Sequence, residues 1–349
     1  MVHSCTRGDV RAAGEAEVAV WRWGLFPVGD GRASLWAAVD AVAGPGPVIA
    51  SSLETMVSMV SIVVISKNEP VLDETLSAVE SQAQAFVGDV EIIVVDASAG
   101  RMDGVKARHS TVRWVAYEPP TGVRISIPHQ RNRGVGAARG DLIVFIDAGC
   151  LPTPGWLHRI ATAITEHGEH VAAGLAVPPQ ETHSHYQLEV ERVRASAYIE
   201  EAPTLNLAFT RAAFEAVGGF DEQFEYGSDI DFSWRLVDHG FRIRSVPEAV
   251  VEHDWGPPGR QLRRAFVYGR ARARLYQKHA ARRGRIWRDD PVVLVYPLFL
   301  IGLPLTLVLP AYPLLLLIPG WRARRYGAAS VLADHLAYGV GVLSVIVPR

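Results

Sequence analysis

Cysteine is nearly absent, with only Cys5 and Cys150 in 349 residues. That excludes a disulfide scaffold and a cysteine-built metal centre. Net charge is nearly absent as well, with 35 Lys and Arg against 37 Asp and Glu, so the chain as a whole does not read as a nucleic-acid binder. The start lacks the basic stretch, apolar run and small-residue cleavage site of a secretory signal. No Gly-x-Gly-x-x-Gly follows the first strand-like run; Lys67-Asn68-Glu69 stands there, which argues against a dinucleotide-binding oxidoreductase. What is plentiful is apolar material, at 49% of residues, enough for one large domain or two modest ones.

From Val60 the pattern alternates between short apolar runs and helical stripes. Ser61 to Ile65 is nearly continuous in apolar character, as a strand buried on both faces requires. Pro70 stands where a helix starts, and Leu72, Leu76 and Val79 follow at helical spacing. Further strands are predicted over 90–95, 112–117, 142–146 and 171–177. A small-residue helix is predicted over 132–139, and a helical stripe is formed by Trp156, Leu157, Ile160 and Ile164. Beyond Pro178 the rhythm breaks into a helix over 187–199, a strand over 205–209 and helices over 211–217 and 229–236. Two short strands over 241–243 and 249–251 close the series. This predicts an α/β fold with a mixed, mostly parallel central sheet, whose ligands bind beyond the carboxyl ends of the strands.

The balanced total charge hides an asymmetry. From Trp255 to Asp290 there are eleven Arg or Lys and two acids, and then 28 residues, Val292 to Pro319, carry no charge. Arg322, Arg324 and Arg325 interrupt, and 326–348 is apolar again except for Asp334 and His335. About 20 apolar residues can span a bilayer, and a basic segment beside them reads as the side facing anionic lipid in the cytoplasm. Two buried helices of a soluble domain are the alternative, for which the first stretch is too long and too continuously apolar. Prolines at 297, 304, 310, 313 and 319 leave two topologies: a crossing with a return, or a kinked interfacial hairpin. The hairpin keeps both basic segments cytoplasmic and is favoured; it calls for cover by the last segment or by a second copy in a homo-oligomer.

Acids mark the strand and helix ends. Asp96 follows Ile92 to Val95, and Asp147 follows Leu142 to Ile146, so each strand delivers one carboxylate to the sheet edge. Two such groups can bind a nucleoside or help hold a divalent cation on a diphosphate; capping of loops is the plain alternative. Asp229 and Asp231 start a helix after Asp221 and Glu222, and capping explains one of these four, not all. His253 ends an apparent strand between Glu252 and Asp254.

The order of these signals resembles the inverting family 2 glycosyltransferases, with their nucleotide-sugar-binding GT-A fold. The segments that carry the likeness are Val60 to Glu69, Ile92 to Gly100, Arg131 to Asp141, Phe145 to Cys150, Gly218 to Glu222 and Gly227 to Asp231, together with His253. The resemblance implies that Asp96 contacts the donor nucleotide, with Asn68, Glu69 and Arg131 on the donor side. It puts Asp147 at the ribose and a divalent metal, Mn or Mg, and His253 at the metal or the leaving diphosphate. Asp229 would be the general base for the acceptor hydroxyl, and Asp221, Glu222 and Asp231 would line the acceptor side. Together with the charge and hydropathy pattern, it divides the chain into an N-terminal extension (1–57), a catalytic domain (58–255), a basic amphipathic linker (256–290) and a membrane-associated region (291–349) with hydrophobic membrane helices.

Three positions depart from the family pattern. Gly149 replaces the second acid of Asp-x-Asp, which predicts weakened metal affinity that Gly149→Asp would restore. Ser228 precedes Asp229 where Glu is usual. Gln261-Leu262-Arg263-Arg264-Ala265 is not the Gln-x-x-Arg-Trp of processive synthases, which predicts transfer of a single sugar. The implied function is transfer from a nucleotide-sugar to a lipid-linked or membrane-proximal acceptor, at the cell membrane with the catalytic domain cytoplasmic. A non-catalytic membrane scaffold with a degenerate nucleotide-sugar domain is the alternative.

Overall fold

The computed structural model describes residues 59–346, apart from 124–125, 180–189, 191–192 and 255–257. The extension over 1–57 and residues 187–189 and 191–192 of the helix expected over 187–199 lie outside the described residues; the end of that expected helix, Tyr198–Ile199, is a short strand instead.

Four parallel strands form one half of the sheet: β1 (Met59–Ser66), β2 (Asp89–Asp96), β3 (Arg113–Ala116) and β4 (Leu142–Ile146), in the order β3-β2-β1-β4. They are joined by helices α1 (Leu72–Ala85), α2 (Asp103–Arg108) and α3 (Ile127–Ala137). Along β1, Ile62 and Val64 face one core with Leu72, Leu76 and Ile160, whereas Val63 faces the other with Phe145, Phe209, Phe220 and Phe232. Both faces are covered, so the strand reads as unbroken apolar sequence. Gly134 lets α3 lie close on β1, because a Cβ there would collide with Val63 Cγ1.

The second half is not the expected continuation. β5 (Cys150–Pro152), α4 (Trp156–Thr165), β6 (Val171–Val177), β7 (Tyr198–Ile199), β8 (Asn206–Thr210), α5 (Arg211–Ala216), α6 (Ser228–Asp238) and β9 (Ile243–His253) complete a nine-stranded sheet. β8 runs antiparallel to β4 and β6, and β5 and β7 run antiparallel to β9. The sheet is therefore mixed, with antiparallel pairings as numerous as parallel ones. The two short strands expected over 241–243 and 249–251 are one strand, β9, whose register with β6 shifts between Gly174 and Leu175. That irregularity inserts extra residues into β9 and hides its alternation in the sequence.

The chain continues as α7 (Pro258–Lys278), a 3₁₀ segment (Ala280–Arg285), α8 (Ile286–Asp289) and α9 (Val292–Ile301). Two 3₁₀ turns (Leu303–Leu307 and Tyr312–Leu316) lead to α10 (Leu317–Arg322) and α11 (Ala328–Ile346). The 28 uncharged residues thus form no continuous helix. Among the described residues α11 is the one helix long and apolar enough to cross a membrane. The basic run is not a linker either. α7 lies antiparallel against α11, so closely that a Cβ on Gly269 would strike the Tyr338 carbonyl and one on Gly341 the Phe266 carbonyl. A third core of Phe224, Trp234, Tyr276, Val292, Tyr296 and Val342 binds α6, α7, α9 and α11 together. Arg272, Lys278 and Arg282 turn inward to Glu201, Asp290, Asp221, Asp231, Glu200 and Asp238. The expectation that this run faces lipid as a whole fails because much of its charge neutralises acids of the α/β domain.

Candidate active site

The carboxyl ends of β1 and β2 meet in register, Ser66 beside Asp96. Asp96 Oδ1 accepts from Ser98 N at 3.0 Å, and Ser98 Oγ accepts from Asn68 N at 2.7 Å. Asn68 sits at φ 58°, a left-handed conformation that Asn tolerates, and its Oδ1 accepts from Arg101 Nε at 2.6 Å. The Asn68 side chain therefore ties two loops together. Glu69 follows, half-buried, with its carbonyl accepting from Leu72 N at the start of α1. This edge presents one carboxylate, Asp96, half-exposed beyond the sheet.

A second group converges from four elements. Asp147 leaves the end of β4. Cys150 pairs with His253 across the β5–β9 ladder, which brings the end of β9 back beside Asp147. Asp229 stands in the first turn of α6, its Oδ1 accepting from Ile230 N at 2.9 Å. Arg131 of α3 is buried; its Nη1 donates to Ser228 Oγ at 3.2 Å, and its Nη2 lies 3.9 Å from Asp147 Oδ1. Arg131 was expected on the donor side. Its guanidinium is buried, held by Ser228 and within the field of Asp147 and Asp229.

The electrostatics follow from this arrangement. Desolvation raises the pKa of Asp229, with the charge of Asp147 adding to it and Arg131 opposing. Desolvation lowers the pKa of His253, reinforced by Arg264 and opposed by Asp147, so its imidazole is neutral at pH 7. Asp147 Oδ1 is buried without a hydrogen-bond partner. Arg131 Nη2, 3.9 Å away, gives it a charge partner but no hydrogen bond, so the oxygen keeps room for a further donor or cation. An adjacent neutral imidazole is a suitable second ligand. No group of three or more His, Cys, Asp or Glu that could hold a metal occurs among the described residues. The pair therefore fits a cation shared with a diphosphate, as Mg²⁺ is commonly held, and not a closed protein cage.

α7 supplies two groups that sequence reasoning missed. Arg264 acts on the charge state of His253. Tyr268 has its phenol pKa raised by desolvation and by the charges of Asp229 and Asp147, with Arg264 opposing. Arg264 and Tyr268 are one turn apart on one helix face. That i, i+4 spacing is visible in the sequence, but nothing in the basic run shows which of its faces meets the α/β domain. Gly227 permits the approach of α7: it sits at φ 80°, and a Cβ there would press on Ala271 and Leu275 at 3.3 Å.

The acceptor-side expectation needs correction. Asp231 is fully buried; Oδ1 accepts from Lys278 Nζ at 2.6 Å and meets His279 Nε2 at 2.8 Å, while Oδ2 pairs with Arg235 at 2.8 Å. It anchors α7 to α6 and faces no acceptor. Asp221 shares Lys278 at 2.7 Å; burial works against it, but that hydrogen bond holds its carboxyl below the usual range. Glu222 remains exposed, accepting from Asn132 Nδ2 at 3.0 Å with His129 Nε2 at 3.4 Å.

Gly149 is more than a missing ligand. It adopts φ 95°, donates its N–H to Thr75 Oγ1 at 2.9 Å, and a Cβ would meet Val71 Cγ2 at 3.3 Å. Gly149→Asp therefore strains the turn that carries Asp147, whatever it adds to the metal site. We expect Gly149→Ala, which isolates the strain, to lower stability by about 1–3 kcal/mol in urea unfolding. An unchanged midpoint contradicts this account of the turn.

Strands that deliver Asp96 and Asp147 to one edge of a mixed α/β sheet, facing a helix-borne Asp229, give a GT-A-like fold. Residues 61–214 match the family model described as glycosyl transferase family 2. The chain is 29% identical over 163 residues to a pre-mycofactocin glycosyltransferase of Mycobacterium tuberculosis, covering 43% of this chain and 34% of that protein. It thus spans about a third of that relative. It is 25% identical over 231 residues to the glycosyltransferase AglE of Haloferax volcanii, covering 62% of this chain and 74% of that one. In fold it is similar to a mannosyltransferase of Pyrobaculum calidifontis solved with GDP-Man and Mn²⁺. That likeness has a TM-score of 0.52 and 22% identity, over 86% of this chain and 81% of the other.

Proposed function

We propose that the protein is an inverting glycosyltransferase that moves one sugar from a nucleotide-sugar donor to a lipid-linked or membrane-proximal acceptor at the cytoplasmic face of the cell membrane. The observation that carries the reading is Asp229: a half-buried carboxylate of raised pKa, held in the first turn of α6 within the field of Asp147. A carboxylate so tuned accepts the proton of an attacking hydroxyl better than an ordinary one near neutral pH. The hydroxyl oxygen bonds to the anomeric carbon as the bond to the nucleoside diphosphate breaks. No enzyme nucleophile intervenes, so the anomeric centre inverts.

Asp96 binds the nucleoside, and the Asn68–Ser98–Arg101 contacts fix the loop around it. Asp147 and His253 would hold a divalent cation, which would supply charge neutralisation of the diphosphate leaving group when bound. Arg264 of α7 lies on the same side and stabilises negative charge developing on the diphosphate. Arg260, Arg263 and Arg274 stay exposed and serve attraction to anionic lipid. Glu222, the acid left accessible, is on the acceptor side.

The stereochemistry tests the mechanism directly. With an α-linked donor, NMR of the product should show a β-linkage; a retained α-linkage defeats single displacement. Chelator should lower turnover at least tenfold, with Mn²⁺ or Mg²⁺ restoring it. Full activity in excess chelator moves diphosphate stabilisation to Arg264 and the helix termini alone.

A further inference from the structure

The uncharged stretch folds into a small projection. Tyr312 stacks on Phe299 with centroids 5.2 Å apart, and its hydroxyl donates to the Phe299 carbonyl at 2.9 Å. These contacts close a hairpin whose arms are the two 3₁₀ turns and whose tip is Leu307 to Pro310. Leu307 is 87% exposed and Val308 82%, and Leu298, Ile301, Leu305, Leu314, Leu317 and Ile318 are each at least half exposed. A patch of this kind on a folded chain marks a surface meant for an apolar partner.

Its backbone is suited to lipid. In hydrocarbon every N–H must find an acceptor within the protein. Here Leu305, Val308, Leu309, Tyr312 and Leu314 donate to carbonyls at 302, 305, 305, 309 and 311. Prolines at 304, 310, 313 and 319 have no N–H to satisfy. A five-residue 3₁₀ turn rises about 10 Å, and one leaflet offers about 15 Å of hydrocarbon. Trp321, 66% exposed, follows with Arg324 stacked over its ring at 4.2 Å, the pairing expected where chain meets headgroups.

α11 is long enough to cross, but its surroundings oppose it. It is docked along α7, with Gly269 on Tyr338 and Gly341 on Phe266. Arg264, Arg270, Arg272 and Arg274 lie on the part of α7 beside it, and Arg272 is salt-bridged to Glu201 of the α/β domain. Carrying α11 through a bilayer would take these arginines along, each weakening insertion roughly 100-fold at the membrane centre. The exposed positions of α11 are Ala329, Ser330, Val340, Ser344 and Ile346, with only two large apolar side chains among them and no continuous lipid-facing belt.

We infer that the C-terminal region enters a single leaflet of the cytoplasmic face through the 301–318 hairpin, while α11 stays on the cytoplasmic side, clamped to α7, and does not cross. The partner is a phospholipid leaflet. This deepens the membrane attachment proposed above and is independent of the transfer chemistry. Because α7 also carries Arg264 and Tyr268, the hairpin holds the catalytic edge at a fixed height over the headgroups, within reach of an acceptor anchored in the same leaflet.

Cysteine placement in the full chain tests this, with Cys5→Ser and the buried Cys150 retained. Val308→Cys, Ser330→Cys and Ser344→Cys are each exposed to a membrane-impermeant maleimide in intact cells, opened cells and detergent. Positions 330 and 344 should react alike, only after opening, and position 308 only in detergent. Reaction at 330 or 344 in intact cells, or their protection until detergent is added, overturns the inference, as does reaction at 308 in opened cells. Val308→Glu, on the exposed tip, should bind vesicles of mixed zwitterionic and anionic phospholipid roughly 10- to 100-fold more weakly with an unchanged urea midpoint. Unchanged binding overturns the hairpin's role. Nucleoside diphosphate release measured on the same proteins, with a soluble acceptor, reports the transfer reaction separately.

Discussion

Asp229→Asn keeps donor binding and loses turnover by roughly 10²- to 10⁴-fold. The amide is nearly the same size and still accepts from Ile230 N through its oxygen, so the first turn of α6 keeps its geometry. What disappears is the basic site. The pH profile gives a second reading. Asp229 must be ionised to work, and burial, with Asp147 adding, has raised its pKa. The rate therefore falls as pH drops through a value above the ordinary carboxylate range, and that acid limb is absent from the residual activity of Asp229→Asn. Near-normal turnover, or an acid limb that survives the substitution, removes Asp229 from the role of base.

Arg272→Ala destabilises the protein by about 3–5 kcal/mol, the usual effect of removing one partner from a buried ionic group. Arg272 grips Glu201 with Nη1 at 2.7 Å and Nη2 at 2.9 Å, and its Nε meets Asp290 Oδ2 at 3.1 Å. Without it two carboxylates are left beneath the C-terminal helices with no guanidinium between them. The effect has a pH signature. Burial, against the pull of Arg272, pushes Asp290 up to about 6, above its unfolded value of about 3.9. A carboxyl with a raised folded pKa stabilises the fold while protonated, and that contribution is lost as pH rises through about 6. The loss in Arg272→Ala is thus smaller at pH 5 than at pH 8. Urea unfolding at the two pH values measures it. Arg274→Ala, exposed two residues on, serves as control and stays within about 0.5 kcal/mol. Equal, small effects at both sites contradict the structural role given to the Arg272 group.

Much of the α/β domain was legible because its strands are buried on both faces. Ile62 to Val64, Ile92 to Val95 and Leu142 to Ile146 are apolar at every position, and each ends on a polar residue at the sheet edge. The antiparallel half was less legible. β5 is three residues long, and the shift of β9 against β6 broke its alternation into two apparent strands. Asp96, Asp147, Asp229 and His253 could be singled out because each terminates an element, a property written in local sequence. The contributions of Arg264 and Tyr268 could not, since they depend on where α7 docks. That docking is set by Gly227, Gly269 and Gly341, residues whose purpose is to lack a Cβ. Asp231 was misplaced for the same reason: nothing beside it in the sequence shows that Lys278 and His279 return to seal it.

Donor turnover by the full-length protein tests the central claim most directly. Wild type and Asp229→Asn, in membrane vesicles with Mn²⁺, are offered a panel of nucleotide-sugars, and nucleoside diphosphate release is followed alongside donor binding. The account predicts release from at least one donor by wild type, and binding of that donor without release by Asp229→Asn. Equal release by both proteins, or no release by wild type from any donor that it binds, would contradict it.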